Sequence, residues 1–313
     1  MFNERQLNAF VKICQEKNIT LAARKLFISQ PALSQTVRQL ENEVGAPLFI
    51  RHQNGVTLTQ AGTVYYTACR DMLLLHSTAL RKIQDLKDSN SGTITLGLST
   101  VSARFLLPVF LSRFQSLFPL IELSLVETRV KEVSRLLLEG KIDLGLTYLT
   151  GEPNLTYQQV LCDRIFLEIP PAIPTNGLPV QKQRAGIPQL ASPDFLDGQP
   201  FILLKQERGM RQLADAFFRQ HDLHPRIVLE TDSITLAHDL VQKNLGFTFL
   251  PGIALPALSA GQQIRICEFA DAPLTRTLYM AYRQNQYMTR ALSALIQLIG
   301  DCAGAPSGCT AVG

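Results

Sequence analysis

Gln30, Ser34, Gln35 and Arg38 follow one another in SQPALSQTVRQL at steps of four, one and three, which would gather them on one side of a helix. A glutamine amide can pair in bidentate fashion with adenine, and a guanidinium can do so with guanine or a phosphate. A hydroxyl can serve at either place. This is the chemistry of reading base edges in a major groove. Ser29 is a strong N-cap for such a helix, and Pro31 falls in its first turn, where a missing N–H costs nothing. Leu33, Val37, Leu40 and Val44 give the opposite side a buried stripe.

What must position this helix lies just upstream. Leu21, Ala22 and Leu26 mark a shorter helix, which Asn18 or Thr20 could cap, and Phe27 and Ile28 turn the chain into the polar helix. Leu7, Phe10, Val11 and Cys14 supply a platform helix. Three helices with a tight second turn and a polar third make a helix-turn-helix. A small bundle whose polar helix merely faces water is the competing reading, and the charge distribution weighs against it. Residues 1–90 hold eleven Lys and Arg against seven Asp and Glu, while residues 91–313 hold nineteen of each. The whole formal excess of +4 therefore lies with the helix-turn-helix pattern, as a nucleic-acid module requires.

APLFIRHQNGVTLTQAG follows, with Asn54-Gly55 between two short extended runs, and predicts a β-wing before a helix capped by Thr59. Taken together, residues 2–62 resemble the DNA-binding half of LysR-type transcriptional regulators. The AA-x-x-L, SQPALS, LE-x-x-x-G, LF-x-R and GV-x-LT-x-AG elements all occur in order. Size and layout extend the resemblance to about residue 300. The family usually places a basic residue just before the wing glycine, where this chain has Asn54. The usual minor-groove contact then falls to His52 or Gln53. Arg51 keeps its place and is assigned to a phosphate. The expected DNA-binding set is Gln30, Pro31, Ser34, Gln35, Arg38, Arg51, His52 and Asn54.

Ala61, Tyr65, Ala68, Met72, Leu75, Ala79, Ile83 and Leu86 alternate steps of three and four with one irregularity. Such a seam argues for a paired linker helix over 59–87 and a homodimer. DSNSG, residues 88–92, reads as a hinge. Beyond it, short apolar strands alternate with amphipathic helices: TITLGLS, IELSLVE and IDLGLTY, then FILL, RIVLE and GFTFLP. The alternation implies parallel sheets flanked by helices, in two similar lobes. The expected fold is α/β: an N-terminal winged helix-turn-helix (1–58), a long linker helix (59–91) and an effector domain (92–300). The resemblance makes that domain two-lobed and like a periplasmic binding protein. Lobe one takes about 92–163 and 269–300, and lobe two about 164–268, with crossings near 164–170 and 263–269. The proline-rich stretch 170–200 reads as a surface loop, and 301–313 as a disordered tail.

Ligands in open α/β sheets sit beyond the carboxyl ends of strands, near helix N-termini. Those positions are Ser99, Thr100, Thr128 and Thr147 in lobe one, and Lys205, Thr231 and Phe249 in lobe two. Hydroxyls facing a lysine across a cleft suit a small organic anion, and ordinary helix caps are the competing reading. The resemblance implies a regulator whose grip on double-stranded DNA is modulated by such an effector. It further implies a homotetramer built as a dimer of dimers, and leaves RNA polymerase as a further partner.

No G-x-S-x-G elbow, P-loop or G-x-G-x-x-G follows a strand, which argues against an enzyme. The helix-turn-helix argues against a solute-binding protein. Six cysteines without C-x-x-C spacing leave no metal site, and no cofactor is expected. Thiol-redox sensing stays open through Cys162 and Cys267, which flank the expected crossings. Met1 leads straight into Glu4, Arg5 and an amphipathic helix, with no signal-peptide pattern. Pro251 and Pro256 break the most apolar stretch. A cytoplasmic protein without membrane contact is expected.

Overall fold

The computed structural model describes residues 3–87, 91–174, 178–184, 187–206, 209–259, 264–270 and 273–302. It forms two compact units, Met1–Lys87 and Asp88–Gly313.

In the first unit, α1 (Glu4–Glu16) is capped by Asn3, and α2 (Ile19–Lys25) by Asn18, whose Oδ1 accepts from the Leu21 N–H at 3.0 Å. Thr20 is thus not the cap. Helix α3 (Gln30–Val44) starts at Ser29, which accepts from the Ala32 N–H, and stops at Gly45 with φ +74°. The turn between α2 and α3 is closed by two backbone bonds, Phe27 N–H to the Arg24 carbonyl and Ile28 N–H to the Ala23 carbonyl, both 3.1 Å. Phe27 itself has φ +56°. Leu7, Phe10, Ile13, Leu33, Val37 and Leu40 form the core between these helices.

Strands β1 (Phe49–His52) and β2 (Gly55–Leu58) pair antiparallel as the wing, with His52 opposite Gly55. The two-residue turn is therefore Gln53-Asn54, one position earlier than the Asn54-Gly55 motif suggests. Gly55 is needed for another reason. Its φ is +150°, and a Cβ there would stand 2.3 Å from the Lys17 carbonyl oxygen, the same oxygen that accepts from the Val56 N–H at 2.9 Å. Helix α4 (Gln60–Lys87) begins at Thr59, whose hydroxyl accepts from the Gly62 N–H.

The second unit contains β3 (Ser91–Leu98), α5 (Thr100–Leu117), β4 (Leu120–Glu127), α6 (Val130–Leu138), β5 (Leu144–Thr147) and β6 (Leu155–Glu168). There follow β7 (Val180–Arg184), β8 (Ile187–Leu190), β9 (Pro200–Leu204), α7 (Gly209–Gln220), β10 (Arg226–Thr231) and α8 (Ile234–Gln242). β11 (Thr248–Pro251), α9 (Leu255–Leu258), β12 (Ile266–Phe269), β13 (Thr275–Arg283) and α10 (Arg290–Cys302) complete it. The parallel expectation holds for β4-β3-β5 and for β9-β10. β12 also pairs parallel with β8, whereas β6 pairs antiparallel with β13, β11 and β12, and its fourteen residues serve both lobes. Its first ten residues pair with β13, its last four with β11, and Leu167 and Glu168 also with β12. One core lies between α5, α10 and the β3–β5 sheet, and the other gathers Phe201, Phe217, Phe218, Phe247 and Phe249.

Three expectations need correction. The second crossing falls after Phe269, since β12 at 266–269 still pairs inside lobe two with β8 and the end of β6. The proline-rich stretch is more than a surface loop: β7 and β8 form a hairpin that extends the sheet, and Leu190 and Leu196 are fully buried. Ser91 and Gly92 belong to β3 and not to the hinge, whose residues 88–90 lie outside the described residues, as does the tail from 303 on.

Glu168, at the end of β6, is fully buried, with His238 Nδ1 at 2.7 Å and Gln242 Nε2 donating at 2.6 Å. Burial pushes the Glu168 carboxyl above its ordinary 4.5. The hydrogen bond with Glu168 holds the His238 imidazole above 6.5. Both shifts mean that the folded state binds more protons than the unfolded one, so stability falls as pH rises. The His238 contribution is complete below pH 6.5 and is lost as pH climbs through its raised value. Thermal unfolding should therefore show Tm falling with rising pH more steeply in the native protein than in a Glu168→Gln/His238→Gln variant. Equal slopes would remove this pair as the cause.

Candidate functional site

Helix α3 is presented by its two caps and by the tight turn before it. Gln30, Pro31, Gln35 and Arg38 are exposed, while Leu33, Val37 and Leu40 lie in the core beneath. Ser34 departs from the expected face. It is 8 % exposed, and its hydroxyl accepts from Gln30 Nε2 at 2.9 Å, so it holds the glutamine from behind. On the wing, Arg51, His52 and Asn54 are all exposed, and His52 Nε2 lies 2.8 Å from the Thr57 hydroxyl. That bond ties down the imidazole, which the sequence left free to replace the missing basic residue.

The linker seam resolves into two faces. Ala61, Tyr65 and Met72 pack on the helix-turn-helix core, together with Cys69, and the Tyr65 ring meets Phe10 edge-on at 5.4 Å. These residues are spent on their own unit. Val64, Ala68, Leu75, Ala79 and Ile83 form a separate exposed stripe, with Leu75 at 72 %. The side chain of Leu86 lies outside the described residues.

In the second unit, the predicted positions divide. Ser99 caps α5, accepting from the Ser102 N–H at 3.2 Å, and Thr100 is exposed beside it. The Thr128 N–H donates to the Leu98 carbonyl at 3.0 Å, which brings the ends of β3 and β4 together. A depression of about 400 Å³ opens there, lined by Thr100, Glu127, Thr128, Arg129 and Glu132. The last two belong to the start of α6, which the strand-end rule alone did not select. Thr147 is fully buried on β5 and does not line it. Phe249 is a core residue, 3 % exposed, with its ring among those of Phe201, Phe217 and Phe218. An apolar residue at a strand end is as readily core as cleft, and here the aromatic cluster claims it.

Thr231 is buried and accepts from the Ser233 N–H at 3.1 Å, a local turn contact. Lys205 is exposed and donates to Asp232 at 2.5 Å. Sequence reasoning also missed a group of buried polar side chains around β6. Arg276 on β13 donates to Asp163 at 3.0 and 3.1 Å and to the Tyr148 hydroxyl at 2.5 Å. Burial pushes the Asp163 carboxyl up, and Arg276 opposes that shift. These residues are far apart in the chain, and no local motif announces them.

The two crossing cysteines do not pair. Cys162 stands opposite Thr277, whereas Cys267 stands opposite Leu167, five residues further along β6. That interval is about 16 Å of strand, against the roughly 7 Å that a disulfide tolerates between Cα atoms. Burial also pushes the Cys267 thiol up to about 12. Among the described residues, no group of His, Cys, Asp and Glu could hold a metal ion, and no helix is long and apolar enough to cross a membrane.

Residues 4–63 match the family described as "Bacterial regulatory helix-turn-helix protein, lysR family", and residues 87–303 match "LysR substrate binding domain". The uncharacterized HTH-type transcriptional regulator YcgK of Bacillus subtilis is 27 % identical over 305 residues, covering 92 % of this chain and 90 % of its own. The HTH-type transcriptional regulator BsdA of the same organism is 29 % identical over 301 residues, covering 94 % and 99 %. A full-length OxyR variant from Pseudomonas aeruginosa shares the fold, with a TM-score of 0.68 at 20 % identity, covering 98 % and 96 %.

The exposed stripe of α4 has a direct test. A carboxylate buried between apolar helices is costly without a partner, so Leu75→Glu should lower the association state seen in sedimentation velocity. The circular dichroism should not change, because Leu75 contributes little to its own core. A variant that sediments like the native protein would show that the stripe stays in solvent.

Proposed function

The chain belongs to the LysR family of bacterial transcriptional regulators, and from that premise we propose that a small organic anion with a single carboxylate, held at the N-terminus of α5, sets its grip on promoter DNA. As a member, it is a DNA-binding regulator with an effector-binding domain and not an enzyme, and its partners are DNA, an effector and further copies of itself. The finer assignments are our reading. Gln30, Pro31, Gln35 and Arg38 address base edges, with Ser34 positioning Gln30. Arg51, His52 and Asn54 follow the backbone. The stripe on α4 makes a homodimer, two dimers make a tetramer, and the occupied promoter presents RNA polymerase with its second partner, all in the cytoplasm.

The observation that carries the effector reading is the depression at the ends of β3 and β4, where Thr100 and Thr128 line a space beside the start of an eighteen-residue helix. The leading N–H groups of such a helix favour an anion. Ser99 and Thr100 add hydroxyl donors, and Arg129 lies in the same wall. Glu127 and Glu132 in that wall would repel a second negative charge, which is why one carboxylate suits the site better than two. Lys205 contributes less than an open lysine would, because the ligand must exchange against Asp232. Binding shifts the regulator only so far as the ligand prefers one arrangement over another.

A thermal-shift screen of monocarboxylates and dicarboxylates identifies the ligand, and titration then checks the residues. Thr100→Ala should weaken binding by about two- to tenfold, the worth of one hydrogen bond. Lys205→Ala should cost less than about fivefold, in line with an exposed ion pair. Unchanged affinity in Thr100→Ala and Ser99→Ala alike would move the site elsewhere.

The DNA reading separates bases from backbone. Gln30→Ala should relax discrimination at one base position by about 1–3 kcal/mol. Arg51→Ala should weaken all sequences alike and flatten the salt dependence by about one phosphate contact. Full sequence-specific binding by residues 91–313 alone would overturn both.

A further inference from the structure

Phe27 occupies the position after α2 where helices usually place glycine. The Phe27 N–H donates to Arg24 and the Ile28 N–H to Ala23, the paired bonds of a Schellman stop, and the residue between them must be left-handed. Its φ of +56° is free for glycine and strained for any residue with a Cβ. Such strain is ordinarily offset by burial, and here none is gained: the ring is 95 % exposed. Nothing among the described residues of the first unit accounts for an aromatic side chain at this point.

Its place in the fold says what covers it. Phe27 stands two residues before Ser29, the cap of α3, and three before Gln30. Ile28, 43 % exposed, adjoins it. In a docked helix-turn-helix, the first residues of the second helix meet base edges and the preceding turn meets the groove wall. That wall is apolar where thymine methyl groups and deoxyribose carbons line it.

We propose that Phe27 is a DNA-contacting side chain of this regulator, its ring packed on the apolar wall of the major groove beside the bases addressed by Gln30. The inference rests on the reading of α3 as the DNA face. It adds a specificity element that hydrogen-bond logic overlooks, since a ring carries neither donor nor charge. Packing on thymine methyls would favour thymine at the contacted step, whereas packing on deoxyribose would strengthen all sequences.

The test uses the full-length protein and a duplex that it enriches from a random-sequence pool. Phe27→Asn keeps a residue that tolerates the left-handed region, so Tm should hold or rise while DNA affinity falls by about tenfold. The salt slope should stay as in the native protein, because an apolar contact releases no counterions. Phe27→Leu should recover part of the affinity. Replacing thymine by deoxyuracil within the bound duplex separates the two surfaces: a loss seen with native protein and absent in Phe27→Asn assigns the methyls, and no loss assigns the sugars.

Native affinity in Phe27→Asn alongside weakened binding by Gln30→Ala overturns the inference alone. Native affinity in both overturns it together with the reading of α3. A fall in Tm, or a lowered association state in sedimentation, would give the ring to the fold or to a second copy and also overturn it.

Discussion

The ion pair between Asp163 and Arg276 is the interaction on which the second unit depends. The two residues face each other across the β6–β13 ladder where that ladder leaves lobe one. Asp163 also accepts from the Ile253 N–H at 3.0 Å, and Ile253 packs against both cores. Arg276 reaches on to Tyr148, just past β5. One carboxylate and one guanidinium thus tie together two strands, the segment after β11 and the end of the parallel sheet. Removing Arg276 would leave the buried Asp163 carboxylate unpaired, a loss of about 3–5 kcal/mol in comparable cases. Desolvation is what makes the site unforgiving, and it already raises Asp163.

Further along the same strand, Arg164 pairs with Glu268 on β12, and Glu168 meets His238 and Gln242 on α8. β6 therefore carries a polar partner at each place where it meets a new neighbour. A strand buried on both faces would ordinarily be apolar. Here, charged residues specify which strand lies beside which, and a shift by one residue would break several pairs at once.

Legibility in the sequence followed the range of the interactions. Caps act within four residues, so Ser29, Pro31 and Thr59 could be read directly, and with them the exposure of Gln30, Gln35 and Arg38. Ser34 could not, because its burial depends on how deeply α3 sinks into the platform. The seam on α4 was legible as a period but not as an allegiance: Tyr65 and Met72 belong to the module core, and Val64 and Leu75 do not. Long-range pairing was the least visible. The hairpin at 180–190 was masked by prolines that suggest a loop, and Cys162 and Cys267 seemed neighbours only while the strand register was unknown. Phe249 fell to an aromatic cluster whose members are spread over about fifty residues.

Helix α4 has one more implication. It is twenty-eight residues long, which is about 42 Å of rigid rod. One side of it is a wall of the module core, through Tyr65 against Phe10, and another carries the exposed stripe. Such a rod acts as a crankshaft: the angular phase between its two faces fixes the heading of α3 relative to whatever the stripe engages. An inserted residue between Cys69 and Leu75 would turn that heading by about 100° without unfolding either face. Where the stripe engages a second copy of the chain, the phase between the two α3 helices is therefore written in the residue count of α4.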